Sequence, residues 1–522
     1  MIEELKSEIE KNNSLQETEN GAIGFSTTGN ELVDLNFRVP SFRDGIDKNS
    51  LEKFRIAMQK DLHYAVKWLF FVRDIRGGLG EKRAFVELFV EFYKFSKNDS
   101  IKVLSLISEY GRWKDIFDII EYSHDSELNN ICFCLVENQL KKDIDNYTNG
   151  KGISLLAKWI PSINASDKIR PLALMLKRHL GLSNKEYRQM LSKLRSHLDV
   201  LERKTCSGDW GGIDYGKVPS KANLLYKDAF LKHDYARRNE FLKSVLSGGE
   251  KINASVLYPY EIWAKYCKDF GNTDWWYDRN NLKINKDLSL EALWENLKDV
   301  GDCGNTMVVC DGSGSMETGI NGSRNVLAID VSRSLSVYFA ERCNGEFKNR
   351  FIEFSREPKF IDISGCRSLA EKIELLSRYD DCTNTDIEKV FLLILKAAVD
   401  SGMKQSDLPD RILIISDMEF DGATTLSRYD GSFQSEMKTL FENIGEQYKR
   451  VGYKMPKLVF WNVCSRTNTI PVVENECGVI LVSGFSVNIV KLVMSGDTDP
   501  WKILKGVLDS ERYSPIDNAL GK

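Results

Sequence analysis

Near residue 300 the chain changes its hydrophobic rhythm, and that change limits the folds open to it. Before it, apolar residues recur at spacings of three and four. In LEKFRIAMQKDLHYAVKWLFFVRDI, the residues Phe54, Met58, Leu62, Ala65, Leu69 and Val72 form one stripe, the mark of an amphipathic helix. The stretches RAFVELFVEFYKF, KVLSLISEYGRWKDIFDII and NNICFCLVENQLKKDI repeat it, with Gly, Asn, Asp or Ser at the breaks. Helical segments continue to about residue 246 at loosely regular spacing, so residues 31–300 read as an all-helical domain of stacked pairs, a solenoid or a closed ring. Residues 1–30, rich in Asn, Ser, Thr, Glu and Gly, read as a poorly ordered lead-in.

After residue 300 short apolar runs alternate with helical stripes. NTMVVCD, NRFIEFS, KFIDI, RILIISDMEF, KLVFWNV and GVILVSG read as strands. SRNVLAIDVSRSLSVYFAERC, NTDIEKVFLLILKAAVDSG, FQSEMKTLFENIGEQYKRVG and SVNIVKLVMSG read as helices. This alternation predicts a parallel sheet covered on both faces, a doubly wound, Rossmann-like domain over residues 301–522. The expected class is α + α/β, helical repeats first and the parallel sheet second.

Length agrees with at least two domains, since single cores seldom grow beyond about 250–300 residues and this chain has 522. No apolar run approaches the roughly 18 residues of a membrane span, and the start, MIEELKSEIEKNN, lacks the basic flank and apolar stretch of a signal peptide. The expectation is a cytoplasmic protein with no membrane partner. Its 11 cysteines are odd in number and scattered, and ICFC suits neither zinc nor a redox pair, so reduced thiols are expected. The net charge of −4 is unevenly spread: residues 151–250 carry 19 Lys+Arg against 10 Asp+Glu, whereas residues 301–522 carry 26 against 32. A basic block in an acidic chain fits either a footprint for phosphate backbones or solvated helix faces.

The first strand of the second half runs into MVVCDGSGSMETG. Asp311, Ser313 and Ser315 follow as Asp-x-Ser-x-Ser, which projects three side chains to one side of an extended loop. One carboxylate and two hydroxyls are hard ligands that suit Mg²⁺ or Mn²⁺, although Asp, Ser and Gly also make ordinary loops. Two later loops, CTNTD with Thr385 and ILIISDM with Asp417, reach the same sheet edge in this topology, where open α/β sheets bind their ligands. Competing chemistries fit poorly. A phosphotransferase of the dehalogenase type needs a second aspartate where Ser313 stands, and a nucleophile elbow needs Gly-x-Ser-x-Gly. All five histidines, His63, His124, His179, His197 and His233, precede the domain, so hydrolase chemistry is not expected and the reading is non-enzymatic.

This set resembles the von Willebrand factor A domain and its metal-ion-dependent adhesion site, in which Asp-x-Ser-x-Ser, a distant Thr and a distant Asp hold one divalent ion. The resemblance covers residues 301–495 and implies that Asp311, Ser313 and Ser315 supply the first loop, Thr385 the second and Asp417 the third. Thr383 shares the second loop, but Thr385 lies better relative to Val390 and Phe391. The third loop reads Ser416-Asp417-Met418-Glu419 in place of the frequent Thr-Asp-Gly, which leaves the contribution of Glu419 open. An incomplete metal shell leaves a coordination position for a carboxylate from a partner protein or from elsewhere in the chain.

A helical half joined to such a domain resembles the Ro autoantigen group, whose TROVE module is a HEAT-like ring of helical repeats that binds RNA. Closer is the resemblance to a family of uncharacterised proteins from bacteria, viruses and plants with the same two-part architecture. It is carried by TENGAIGFSTTGNELVDLNF, VRDIRGGLGEKRAF, YGRWKDIF, SLLAKWIPS and WGGIDYGKVPSKANLLYKDAFLKHDYARRNEFL. In VRDIRGGLGEKR, Arg73, Arg76, Lys82 and Arg83 flank Gly77, Gly78 and Gly80, which makes either a basic turn facing a phosphate or a turn kept tight for packing. The Gly-Lys-Ser/Thr ending of a nucleotide P-loop is missing. Between Lys217 and Arg238, the residues Lys221, Lys227, Lys232, His233, Arg237 and Arg238 interleave with Tyr226, Phe230 and Tyr235, a pattern for backbone contact with base stacking or for a helix core. The expected function is a non-enzymatic RNA-binding or ribonucleoprotein-scaffold protein with a divalent adhesion site, its partner a small structured or single-stranded RNA. The alternative is a metal-dependent protein adaptor that binds no RNA.

Overall fold

The computed structural model describes residues 15–17, 23–25, 27–270, 284–301, 303–320, 326–355, 357–379, 387–417, 443–464, 479–490 and 499–521. Helices dominate as far as Leu288–Glu295, and a six-stranded mixed sheet follows, so the class is α + α/β. The chain divides into two compact units that alternate along it. One takes Met1–Asp44, Pro219–Leu225 and Leu242–Val507; the other takes Gly45–Val218, Tyr226–Phe241 and Leu508–Lys522. The shift of rhythm near residue 300 is therefore a shift of secondary structure rather than the limit of a compact unit: the helices Pro259–Phe270 and Leu288–Glu295 belong with the sheet.

In the helical unit, the stripe from Phe54 to Val72 is divided between two helices, Lys48–Lys60 and Leu62–Arg73. Asp61, in extended conformation, ends the first and caps the second by accepting from the Tyr64 amide. Phe70 packs edge-on against Phe85 and Tyr110 at 5.6 and 5.2 Å, which ties Leu62–Arg73 to Lys82–Phe95 and Ile107–Tyr110. The C-terminal segment completes this unit. Asp74, fully buried, accepts from the Arg512 guanidinium at 2.8 and 2.9 Å, and Tyr513 stacks on Tyr110 at 5.7 Å.

The other unit opens with a short antiparallel pair, β1 (Leu15–Glu17) and β2 (Ile23–Phe25), inside the segment read as poorly ordered. Its main sheet contains β3 (Thr306–Asp311), β4 (Arg350–Phe354), β5 (Lys359–Asp362), β6 (Arg411–Ser416), β7 (Lys457–Asn462) and β8 (Val479–Ser483), in the order β5-β4-β3-β6-β7-β8. Neighbours run parallel except β4 and β5. That corrects the all-parallel expectation: residues 355–358 alone join β4 to β5, too few for a crossover, so the chain turns back as a hairpin.

The apolar strands lie between two layers of helix. On one face Met307, Val309, Ile412, Ile414 and Phe460 pack with Val390, Phe391 and Ile394 of Ile387–Asp400 and with Ile444 and Tyr448. On the other, Ala328–Ala340 lies against β3 and β6; Ser332 Oγ donates to the Ile415 carbonyl at 2.9 Å, and Phe339 meets Trp461 at 5.2 Å. The strand order reverses between β3 and β6, and such a switch point leaves a crevice at the carboxyl ends of the two strands. Among the described residues no helix is long and apolar enough to cross a membrane.

Candidate metal centre

Every residue of β3 is buried, and Asp311, its last, is 1% exposed. A carboxylate withdrawn from water this far must be hydrogen-bonded or paired. Ser416 Oγ, at the end of β6, donates to Asp311 Oδ2 at 2.5 Å, and the Ser313 amide donates to Oδ1 at 2.9 Å. Strand register produces the first bond: Cys310 pairs with Ile415, so the next residues, Asp311 and Ser416, emerge side by side. The loop then tightens into a 3-10 turn, Gly314–Glu317, closed by the Met316 amide on the Ser313 carbonyl at 3.0 Å and anchored by the buried Met316 side chain. That turn holds Ser313 Oγ and Ser315 Oγ 3.0 Å apart, with both serines half-buried.

Asp417 follows Ser416 directly and is 2% exposed. Burial first, and then the Asp417 charge, push the Asp311 carboxyl well above the ordinary carboxylate range, against the opposing pull of the Ser416 and Ser313 bonds. A divalent cation would relieve that repulsion, and the oxygens of Asp311, Ser313, Ser315 and Asp417 are the hard donors it prefers. Thr385, the ligand expected from the second loop, lies outside the described residues, as do Thr383, Met418 and Glu419. Among the described residues no three His, Cys, Asp or Glu side chains gather as a metal site, so a cradle here depends on hydroxyls as well as carboxylates.

Two residues at this edge escape a sequence reading. The part Ser416 plays follows from register alone. Glu353 is a buried carboxylate between the apolar residues Ile352 and Phe354 of β4, opposite Cys310, and its Oε1 lies 3.6 Å from where a β-carbon on Gly312 would stand. A carboxylate set among Phe351, Ile352 and Phe354 is the signal that could have marked it.

Of the residues expected to contact RNA, three are interior. Arg73 is 2% exposed and donates through Nε to Asp115 at 2.7 Å. Lys227 is buried with its Nζ 2.8 Å from Asp228, and Arg238 is buried over the Tyr215 and Phe230 rings at 4.8 and 5.2 Å. Burial withdraws all three from a phosphate, a correction to the basic surface read from sequence. Lys82 pairs with Asp118, Arg83 with Glu87, Lys221 with Glu261 and Arg237 with Asp234, while Arg76 donates to the Glu109 carbonyl. Arg76, Arg83, Lys232 and His233 are exposed. The glycine turn serves packing. A β-carbon on Gly78 would fall 2.0 Å from the Phe71 carbonyl oxygen, and the amides of Gly78, Leu79 and Glu81 donate to the carbonyls of Asp74, Phe71 and Val72, inward rather than toward a phosphate.

Comparison with known proteins relates the chain to uncharacterised families. Residues 305–505 match the family model "Domain of unknown function (DUF7788)", and residues 177–304 match "Domain of unknown function (DUF2828)". Over 542 aligned residues, 96% of this chain and 89% of the relative, it is 29% identical to "Uncharacterized protein L728" of Acanthamoeba polyphaga mimivirus. A shorter match, 27% identical over 179 residues, is to linoleate 9S-lipoxygenase B of Solanum lycopersicum; it spans 29% of this chain and 19% of that protein.

Proposed function

We propose that the sheet-bearing unit is a divalent-cation-dependent binding module of the von Willebrand A type, and that the protein is a non-enzymatic binding protein that captures a carboxylate-bearing partner. One arrangement carries this reading: Asp311, buried between the Ser416 hydroxyl and the Ser313 amide, beside two hydroxyls 3.0 Å apart and next to a second buried carboxylate, Asp417. The strand order, with one antiparallel edge strand and a switch between β3 and β6, supports the same reading. Asp311, Ser313, Ser315 and Asp417, together with Thr385, would hold Mg²⁺ or Mn²⁺. The bound ion would supply an open position for a carboxylate oxygen. The chain's own part is orientation: Ser416 fixes the Asp311 carboxylate, and the 3-10 turn fixes the two serine hydroxyls. Calorimetric titration with Mn²⁺ and then glutarate tests this. Glutarate should bind the Mn²⁺-loaded protein and not the EDTA-treated one; glutarate binding that ignores Mn²⁺ removes the reading.

A second reading keeps RNA contact for the helical unit, with the narrower surface that burial leaves. It is favoured by His233, stacked on Trp210 at 4.4 Å and 9° beside the exposed Lys232, with Tyr235 64% exposed close by in sequence. Binding of a single-stranded RNA oligonucleotide, titrated with salt, tests it. A steep fall with salt and loss in the Lys232→Ala/His233→Ala double variant supports RNA contact, and salt-insensitive or absent binding removes it.

A further inference from the structure

Two consecutive helices of the helical unit, Arg170–His179 and Asn184–His197, carry a surface that neither reading above uses. In the first helix Ala173 and Leu176 are fully buried, and Pro171, Met175 and Arg178, at spacings of four and three, lie on the opposite, exposed face. Ile169, its N-cap, is 44% exposed, and Met175 is 42% exposed. Aliphatic side chains this open to water add little to the core.

Cations surround them. Residues 168–193 hold seven Lys and Arg against one acid, Glu186, and that carboxylate caps its own helix by accepting from the Ser183 amide at 2.8 Å. Arg170, Arg178, Lys185 and Lys193 are exposed, and none of them forms an ion pair among the described residues. Arg170 and Lys185 stand in the first turns of their helices, where a cation opposes the helix dipole, so helix stability does not account for them. Lys177 Nζ donates to Asn184 Oδ1 at 3.2 Å, which joins the end of the first helix to the start of the second; Arg178 and Lys185 are the chain neighbours of that contact.

Unpaired cations around exposed aliphatic groups select among anionic partners. A nucleic-acid backbone would satisfy the cations and leave Ile169 and Met175 in water. Base stacking calls for aromatic rings, and Tyr187, the one Phe, Tyr or Trp of residues 168–193, is fully buried. An anionic lipid leaflet takes both sets of side chains, headgroups at the cations and the acyl boundary at the aliphatic groups. We infer that this surface docks on a membrane rich in anionic lipid headgroups. Such a contact needs no spanning helix, and it departs from the sequence expectation of no membrane partner. It is independent of the metal cradle.

Co-sedimentation with vesicles of phosphatidylcholine alone, and of an equimolar mixture of phosphatidylcholine and phosphatidylserine, tests it; EDTA in every sample removes any bridging by a divalent ion. The protein should bind the mixed vesicles and not the neutral ones, and should be released as salt rises. Arg170→Gln/Arg178→Gln/Lys185→Gln should bind at least about tenfold more weakly, and Ile169→Ser/Met175→Ser at least about threefold, each with the wild-type circular dichroism spectrum because the altered side chains are exposed. Equal binding to the two kinds of vesicle, binding to neither, or undiminished binding by the serine variant overturns the inference. An RNA hairpin that binds, and is lost in the glutamine variant while vesicles are ignored, would assign the surface to nucleic acid and overturn it too.

Discussion

Ser416 and Asp311 meet across the switch point of the main sheet, hydroxyl to carboxylate at 2.5 Å, from the adjacent ends of β6 and β3. The contact makes the arrangement of these two side chains a property of strand register. A slip of one residue between the two strands would send these side chains to opposite faces. Geometry at the candidate metal centre is thus inherited from the packing of the apolar strands behind it.

Ser416→Ala removes a donor from a carboxylate that is 1% exposed. Leaving a buried polar group unsatisfied costs about 1–3 kcal/mol, so urea unfolding in EDTA should show a loss of that size. Ser416→Thr, which keeps the hydroxyl, should recover most of it. Equal stability of the alanine and threonine variants would contradict the role assigned to the bond.

Arg73→Ala leaves Asp115, fully buried, without its guanidinium. Breaking a buried pair by removing one partner costs about 3–5 kcal/mol. Alanine at the exposed Lys232 should change stability by less than about 0.5 kcal/mol. Melting followed by circular dichroism separates the two, and similar melts for both would show that Arg73 is not a packing residue.

Asp362 on β5 faces Arg350 on β4 at 2.9 Å, and its carboxyl is held below the ordinary range by Ser364 first and Arg350 after it. A carboxyl depressed in the folded state stabilises above its unfolded pKa, and that contribution disappears as pH falls through the folded value. Stability should therefore decline as pH drops below about 4, and Asp362→Asn should flatten that limb. Parallel curves for wild type and variant, measured by urea unfolding across the acid range, would contradict the sign.

Much of the sheet is readable from sequence because strands buried on both faces appear as continuous apolar runs, as in TMVVCD and RILIIS. The direction of β5 is not, since it depends on how short the link from β4 is. The break at Asp61 is hidden for a related reason: the same periodicity continues through both helices it separates. Interleaving of the two compact units leaves no local trace, because it is made by contacts such as Arg512 with Asp74, 438 positions apart. At the candidate site, the spacing of Asp311, Ser313 and Ser315 shows in the chain, whereas the Ser416 bond requires the register of two strands. Basic residues read as surface by default. Arg73 departs from that because its partner Asp115 lies 42 positions away and both are interior.

Thermal unfolding of wild type and Asp311→Ala, with Mg²⁺ and with EDTA, tests whether Asp311 belongs to a divalent-cation cradle. An ion present at a hundred times its dissociation constant adds about 2.7 kcal/mol to the folded state. Wild type should melt several degrees higher in Mg²⁺, and Asp311→Ala should melt at one temperature in both buffers. A Mg²⁺-dependent rise of equal size in the two proteins would contradict the account.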